Sequence, residues 1–210
     1  STLVNTASGE QAPSITGDGL TLYFCSNRAG GPGGMDLWMV TRQNLASPWT
    51  NATPVTSLSS TMADNYIDVR DDDLELFISS TNPLNNLGSS DLFVARRSST
   101  STPWVTANLV NLGAPFNTLG LEDDPSITAD GLELYWTSVS TYRPEGGSGS
   151  GSIYRITRKS TSSPWSTLVQ YVQELDSTFV DHSPAISPDG LSIIFSSTRI
   201  GGTNVSDLYI

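Results

Sequence analysis

The stretch Pro13-Ser14-Ile15-Thr16-Gly17-Asp18-Gly19-Leu20-Thr21-Leu22-Tyr23-Phe24 returns twice more in the same chain. It reappears as Pro125-Ser126-Ile127-Thr128-Ala129-Asp130-Gly131-Leu132-Glu133-Leu134-Tyr135-Trp136, and as Pro184-Ala185-Ile186-Ser187-Pro188-Asp189-Gly190-Leu191-Ser192-Ile193-Ile194-Phe195. A degenerate copy, Ile67-Asp68-Val69-Arg70-Asp71-Asp72-Asp73-Leu74-Glu75-Leu76-Phe77, lies between the first two. The anchoring leucines Leu20, Leu74, Leu132 and Leu191 are 54, 58 and 59 residues apart. In each full copy Asp-Gly stands between two alternating apolar runs, the strongest short-range hairpin signal, and a two-residue turn of that kind needs positive φ at both residues. Asp72-Asp73 replaces it in the second copy, so that turn is expected to be looser.

Working outward, a third strand signal follows each hairpin, at Asp36-Leu37-Trp38, Asp91-Leu92-Phe93, Ser152-Ile153-Tyr154 and Asp207-Leu208-Tyr209. Three of these lead to a Ser/Thr-Pro-Trp step carrying Trp49, Trp104 and Trp165, then to a short apolar segment such as Leu109-Val110-Asn111. Four strand signals per period, in tandem, describe the blades of a propeller. The expected fold is therefore all-β, a single β-propeller domain over 1–210 with four blades of four antiparallel strands. The repeats run over 12–62, 63–120, 121–180, and 181–210 completed by 1–11. Leu3-Val4-Asn5 matches Leu109-Val110-Asn111, so the N-terminal segment is expected to pair with the C-terminal strand and protect its edge. The competing reading is a fragment of a longer propeller.

Composition narrows the partners. The 210 residues carry 21 acids against 10 bases, a formal charge of −11, and Lys159 is the only lysine. Such a surface repels phosphate, which argues against nucleic acid and anionic membrane. One cysteine, Cys25, and one histidine, His182, exclude an internal disulfide, a thiolate-rich metal site and a multi-histidine zinc site. No apolar run approaches the length needed to span a bilayer. The acidic, lysine-poor, Ser/Thr-rich chain opens at Ser1 and reads as a secreted or periplasmic bacterial protein, expected to be a monomer.

The repeat, followed by Ser26-Asn27-Arg28-Ala29-Gly30-Gly31 or Ser197-Thr198-Arg199-Ile200-Gly201-Gly202 and then by Asp-Leu-Trp/Tyr, resembles the WD-like repeats of TolB-type β-propellers. The resemblance covers nearly the whole chain. Propellers of this type include protein-binding modules, domains attached to peptidases, and lyases. Thr81 and Ser140 stand where the second and third repeats should carry the arginine.

Ten residues before each anchor leucine lie Glu10, Asp64, Glu122 and Asp181, all acidic. In a propeller this position opens the innermost strand, so the four would ring one end of the channel. Like charges so placed need compensation. Either a hard cation such as Ca²⁺ accepts their oxygens, or Arg28 and Arg199 pair with them while the acids cap strand starts and tie blades together. The long loops between second and third strands share that face, and Tyr66, Asp124, Tyr142, Arg143 and His182 are candidate rim residues for a ligand. Trp49, Trp104 and Trp165 form a recurring column that serves either as inter-blade packing or as sugar platforms. Arg42, Arg97 and Arg158 are expected at the same corner. Asp181-His182-Ser183 is contiguous and so lacks triad geometry, and no catalytic residue is designated. The reading is a non-catalytic binding module for a protein segment or a carbohydrate. The alternatives are a secreted carbohydrate-active hydrolase or lyase using acids at the channel mouth, and a structural scaffold unit.

Overall fold

The computed structural model describes residues 3–82, 87–141, 143, 146–147, 150–201 and 206–210. Its strands fall into four antiparallel sheets built in chain order. The first contains β1 (Glu10–Ile15), β2 (Thr21–Ser26), β3 (Asp36–Thr41) and β4 (Thr53–Pro54). The second contains β5 (Asp64–Val69), β6 (Glu75–Ser80), β7 (Asp91–Arg96) and β8 (Leu109–Asn111). The third contains β9 (Leu121–Ile127), β10 (Glu133–Val139), β11 (Ser152–Thr157) and β12 (Gln170–Tyr171). The fourth contains β13 (Asp181–Ile186), β14 (Ile193–Ser197) and β15 (Asp207–Tyr209). These sheets are the four blades of an all-β propeller. Among the described residues no helix is long and apolar enough to cross a membrane.

The Asp-Gly hairpins form as expected, with one difference. Only the glycine of each pair is left-handed, at φ 68° for Gly19, 72° for Gly131 and 70° for Gly190. The aspartate stays in ordinary backbone space and caps the turn. Asp18 Oδ1 accepts from Thr16 Oγ1 and from the Leu20 N–H, and Asp130 and Asp189 repeat the pattern. The second turn is not looser. Asp73 takes the left-handed place at φ 59°, a conformation aspartate tolerates better than most residues, and Arg97 and Tyr23 hold its carboxylate.

The chain divides into two compact units, Ser1–Asn86 with Phe93–Asn111, and Leu87–Leu92 with Leu112–Ile210. In the first, Tyr23, Cys25 and Leu37 of one blade pack on Ile67, Val69, Leu76 and Ile78 of the next. Ser14 Oγ on β1 donates to Asp68 on β5 and accepts from the Val69 N–H, at 2.6 and 3.0 Å. In the second unit, Tyr135, Ile153 and Phe195 share a core with Ile186, Ile193 and Tyr209.

The expected closing strand at Leu3-Val4-Asn5 is not formed. Among the described residues the fourth sheet has three strands. Leu3 and Val4 instead lie in a turn whose carbonyls accept from Arg28, and Val4 packs on Phe24, Trp38 and Val40 of the first blade. Val4 belongs to a different column from the one assigned to it. Val4, Leu58, Phe116 and Leu175 each stand six residues before the column acid, the last three after the outer strands β4, β8 and β12.

Candidate functional site

The four column acids open the inner strands, and each turns its carboxylate into its own blade. Glu10 accepts from the Thr6 N–H and hydroxyl, Glu122 from those of Thr118, Asp181 from those of Ser177, and Asp64 from the Ser60 N–H. A serine at the end of the second strand, Ser26, Ser80 or Ser138, donates to the same group. In three blades an arginine completes the cluster. Arg28, Arg143 and Arg199 lie 3.0, 3.2 and 2.7 Å from Glu10, Glu122 and Asp181. Each guanidinium also rests on two aromatic rings of its blade: Phe24 and Trp38, Trp136 and Tyr154, Phe195 and Tyr209.

Arg143 was expected on a ligand rim, but it is 7% exposed and fills this clamp. It reaches the site from three residues beyond Ser140, donating to Ser138 Oγ and to the carbonyls of Pro115 and Phe116. No arginine reaches Asp64 among the described residues, and Ile78 replaces the second-strand aromatic there. The electrostatic contrast follows. Burial pushes the Asp64 carboxyl up, with Ser80 and Ser60 opposing it. At Asp181 burial also acts upward, but hydrogen bonds from Arg199, Ser197 and Ser177 hold the carboxyl below its ordinary value. A Ca²⁺ ion taking these acids would have to displace such bonds. Among the described residues no group of three or more His, Cys, Asp or Glu gathers to hold a metal ion.

Two residues beyond the acid the strands carry unusual backbone. Ala12, Asp124 and Ser183 are left-handed, at φ 48°, 53° and 52°. Each precedes a proline and sits in a bulge of β1, β9 or β13. Proline supplies no N–H to the ladder, so the strand breaks register there and turns its neighbours outward. The combination of acid, two residues and proline was visible in sequence, yet only the acid was read from it.

In the second unit this geometry assembles a cluster from two blades. Asp124 Oδ2 accepts from Thr137 Oγ1 at 3.1 Å and from the Ser183 N–H at 3.2 Å. Ser183 N–H also reaches Thr137 Oγ1 at 3.0 Å, and His182 Nδ1 lies 2.9 Å from Ser183 Oγ. Burial pushes the Asp124 carboxyl up, opposed by Thr137, the nearby His182 and Ser183. The expected rim pair Asp124 and His182 is thus brought together. Tyr66 lies half-buried on β5 of the other unit, and Tyr142 falls outside the described residues. The arrangement is not a nucleophilic triad, because His182 directs Nδ1 at its neighbouring serine and no hydrogen bond joins it to Asp124.

The tryptophan column is covered by arginine. Arg42, Arg97 and Arg158 lie 4.4, 4.4 and 4.3 Å above the rings of Trp49, Trp104 and Trp165. Trp104 is 6% exposed, and its Nε1 donates to the Tyr23 hydroxyl.

No protein-family model matches this chain, and no curated protein does. Among solved structures, TolB from Acinetobacter baumannii is similar over 98% of this chain and 41% of its own, with a TM-score of 0.62 and 16% identity. A structure described as TolB from Agrobacterium tumefaciens is similar over 98% of this chain and 59% of its own, with a TM-score of 0.61 and 15% identity. An α-L-arabinofuranosidase from Lactobacillus brevis aligns over 95% and 71%, with a TM-score of 0.50 and 14% identity. The fold is that of a TolB-type propeller, and the chain spans about half the length of these TolB structures.

Proposed function

We propose that this chain is a non-catalytic binding module, exported from a bacterial cell, whose ligand is a protein segment. The segment docks on the bulged strand starts of β9 and β13. The observation that carries the reading is the cluster of Asp124, Thr137, His182 and Ser183, in which two strained, non-glycine residues from neighbouring blades converge. Such strain persists where surrounding structure over-determines it, and it collects at ligand sites. A carbohydrate ligand is less favoured, because the recurring tryptophans that could have stacked on sugar rings already carry guanidinium groups. The charge of −11 favours a segment containing basic residues and steers its approach.

The test is selection from a displayed peptide library, with turnover measured in parallel on arabinan and pectin. Enriched basic peptides should bind at least tenfold more weakly to Asp124→Asn and His182→Gln, and more weakly at high salt. A library without enrichment would overturn the reading. So would polysaccharide cleavage that Asp124→Asn abolishes.

A further inference from the structure

Three exposed apolar side chains flank one point, the Gly120 backbone, where the loop before β7 meets the start of β9. Leu87, Leu119 and Val139 are 49%, 64% and 37% exposed. Exposed apolar residues scattered singly are ordinary on a surface, but the backbone gathers these. The Ser89 N–H donates to the Gly120 carbonyl at 2.8 Å. Neither Gly88 nor Gly120 has room for a side chain, because a Cβ would run into the Gly120 carbonyl in the first case and the Val139 carbonyl in the second. Buried acids fix both sides of the ledge. The Leu87 N–H donates to Asp91 at 2.8 Å, and the Thr118 N–H donates to Glu122 at 2.8 Å.

The blade does not ask for these residues. In the other three blades the place of Leu119 is held by Ala7, Thr61 and Thr178, and that of Val139 by Asn27, Thr81 and Thr198. Asn27, Thr81 and Thr198 each use the side chain to accept a backbone N–H, from Gly9 at 2.8 Å, Ala63 at 3.2 Å and Val180 at 3.1 Å. Valine offers no acceptor, so the third blade alone replaces that capping group with exposed methyls. Carboxylates border the patch. Ser90 Oγ donates to Asp123 at 2.7 Å, and Asp123 stands on β9 between the patch and Asp124.

We propose that Leu87, Leu119 and Val139 seat an apolar side chain of the docked protein segment, beside a basic side chain that the segment directs at Asp123 and Asp124. This rests on the reading that a protein segment docks at the starts of β9 and β13, and it narrows that segment from basic to apolar and basic together. Residues two apart in an extended segment share a face at about 7 Å, the same stride that separates Leu121 from Asp123 on β9. Charge selects the occupant. A second copy of a chain of charge −11 would bring like charge to these carboxylates, and a purely apolar partner would leave them without a counter-charge.

The probes are two sets of displayed short peptides, one with leucine or phenylalanine two positions from an arginine, the other with serine in the apolar place. The first set should enrich on the parent protein and the second should not. By titration calorimetry an enriched peptide should bind at least tenfold more tightly than its serine counterpart, and by NMR it should shift the Gly120 amide. The paired variant Leu119→Thr with Val139→Thr installs side chains that other blades carry at these places, so its melting midpoint should match the parent's. Its affinity for the enriched peptide should fall at least tenfold and no longer depend on the peptide's apolar residue. Asp124→Asn should weaken both peptides alike. Equal enrichment of the serine set overturns the inference, as does a paired variant that binds like the parent while Asp124→Asn weakens binding; the docking site itself then stands. No enrichment in either set overturns both. Dimerisation in sedimentation that the paired variant abolishes would overturn it by assigning the patch to a second copy. If the paired variant fails to fold, the serine exchange in the peptide and the Gly120 amide decide.

Discussion

Removing one buried oxygen, in Tyr23→Phe, tests whether polar networks or only apolar packing join the first two blades. Tyr23 is 1% exposed. Its hydroxyl donates to Asp73 Oδ1 at 3.0 Å and accepts from Trp104 Nε1 at 2.9 Å, while Asp73 pairs with Arg97, which stacks on Trp104. The four side chains close a ring across two blades. Phenylalanine keeps the packing but leaves the indole N–H without an acceptor, at about 1–3 kcal/mol, and removes a bond to a carboxylate worth about 1.5–3 kcal/mol. Because the two losses share one atom they do not add fully, so the expected cost is about 3–4 kcal/mol. For a chain of this size that lowers the melting midpoint by about 6–16 °C. The comparison is Tyr135→Phe, whose hydroxyl meets Glu133 and Arg155 at the edge of an open cavity and whose loss water can replace, at about 1 kcal/mol. Denaturant unfolding followed by tryptophan fluorescence measures both. Combining Tyr23→Phe with Trp104→Phe should cost less than the sum of the single changes. A Tyr23→Phe midpoint within 2 °C of the parent, or the same loss as Tyr135→Phe, would refute the network.

Four further outcomes follow from the acid column. Asp64→Asn should be more stable than the parent at pH 7. A buried carboxyl whose folded pKa is raised favours the fold when protonated, and that contribution is lost as pH rises; the advantage of asparagine should therefore vanish below about pH 4 in melting curves run across pH. Asp181→Asn should behave in the opposite sense, less stable than the parent at neutral pH and approaching it in acid, because Asp181 is held below its ordinary value. Arg143→Met should cost about 3–5 kcal/mol in denaturant unfolding by leaving Glu122 buried and uncompensated, and adding Glu122→Gln should recover part of that loss. Melting midpoints in CaCl₂ and in excess chelator should coincide, since the carboxylates already hold their blade's own donors; a calcium-dependent rise would return the acids to a metal site.

The four-strand period was legible because it rests on short-range chemistry: Asp-Gly turns, alternating apolar residues and Pro-Trp steps, each local in sequence. What escaped were features set by reach rather than by spacing. Arg28 and Arg199 stand two residues after the serine they contact, and Arg143 stands five after Ser138, yet all three put Nε within about 3 Å of that serine's hydroxyl. A long side chain delivers the same head group from different backbone positions, so the fixed pattern assigned the third blade no arginine and sent Arg143 to the rim. Val4 was misplaced for a related reason. Its neighbours resemble an outer strand, and only the column of Val4, Leu58, Phe116 and Leu175 shows that it serves as a plug. The turn at Asp73 was judged on its missing glycine, whereas partners 24 and 50 residues away brace it.

Repetition within one chain separates folding from function more cleanly than any single residue does. Positions that hold the same chemistry in every blade answer to the blade's own geometry, as the column acids do, together with the Ser or Thr four residues before them. The adjacent position holds four different side chains, Gln11, Asp123 and His182 paired with the second strand and Asn65 in the register shift of its own strand. Two of them tie neighbouring blades, Gln11 Nε2 donating to the Asn65 carbonyl at 2.9 Å and Asp123 accepting from Ser90 Oγ at 2.7 Å, whereas His182 reaches only the serine beside it. That position and the residue after it, which is Ala12, Tyr66, Asp124 or Ser183, are where the repeat departs from itself. A ligand that contacts this chain is therefore expected at those departures, and His182→Gln, which removes no bond to a neighbouring blade, should change binding while leaving the melting midpoint nearly unmoved.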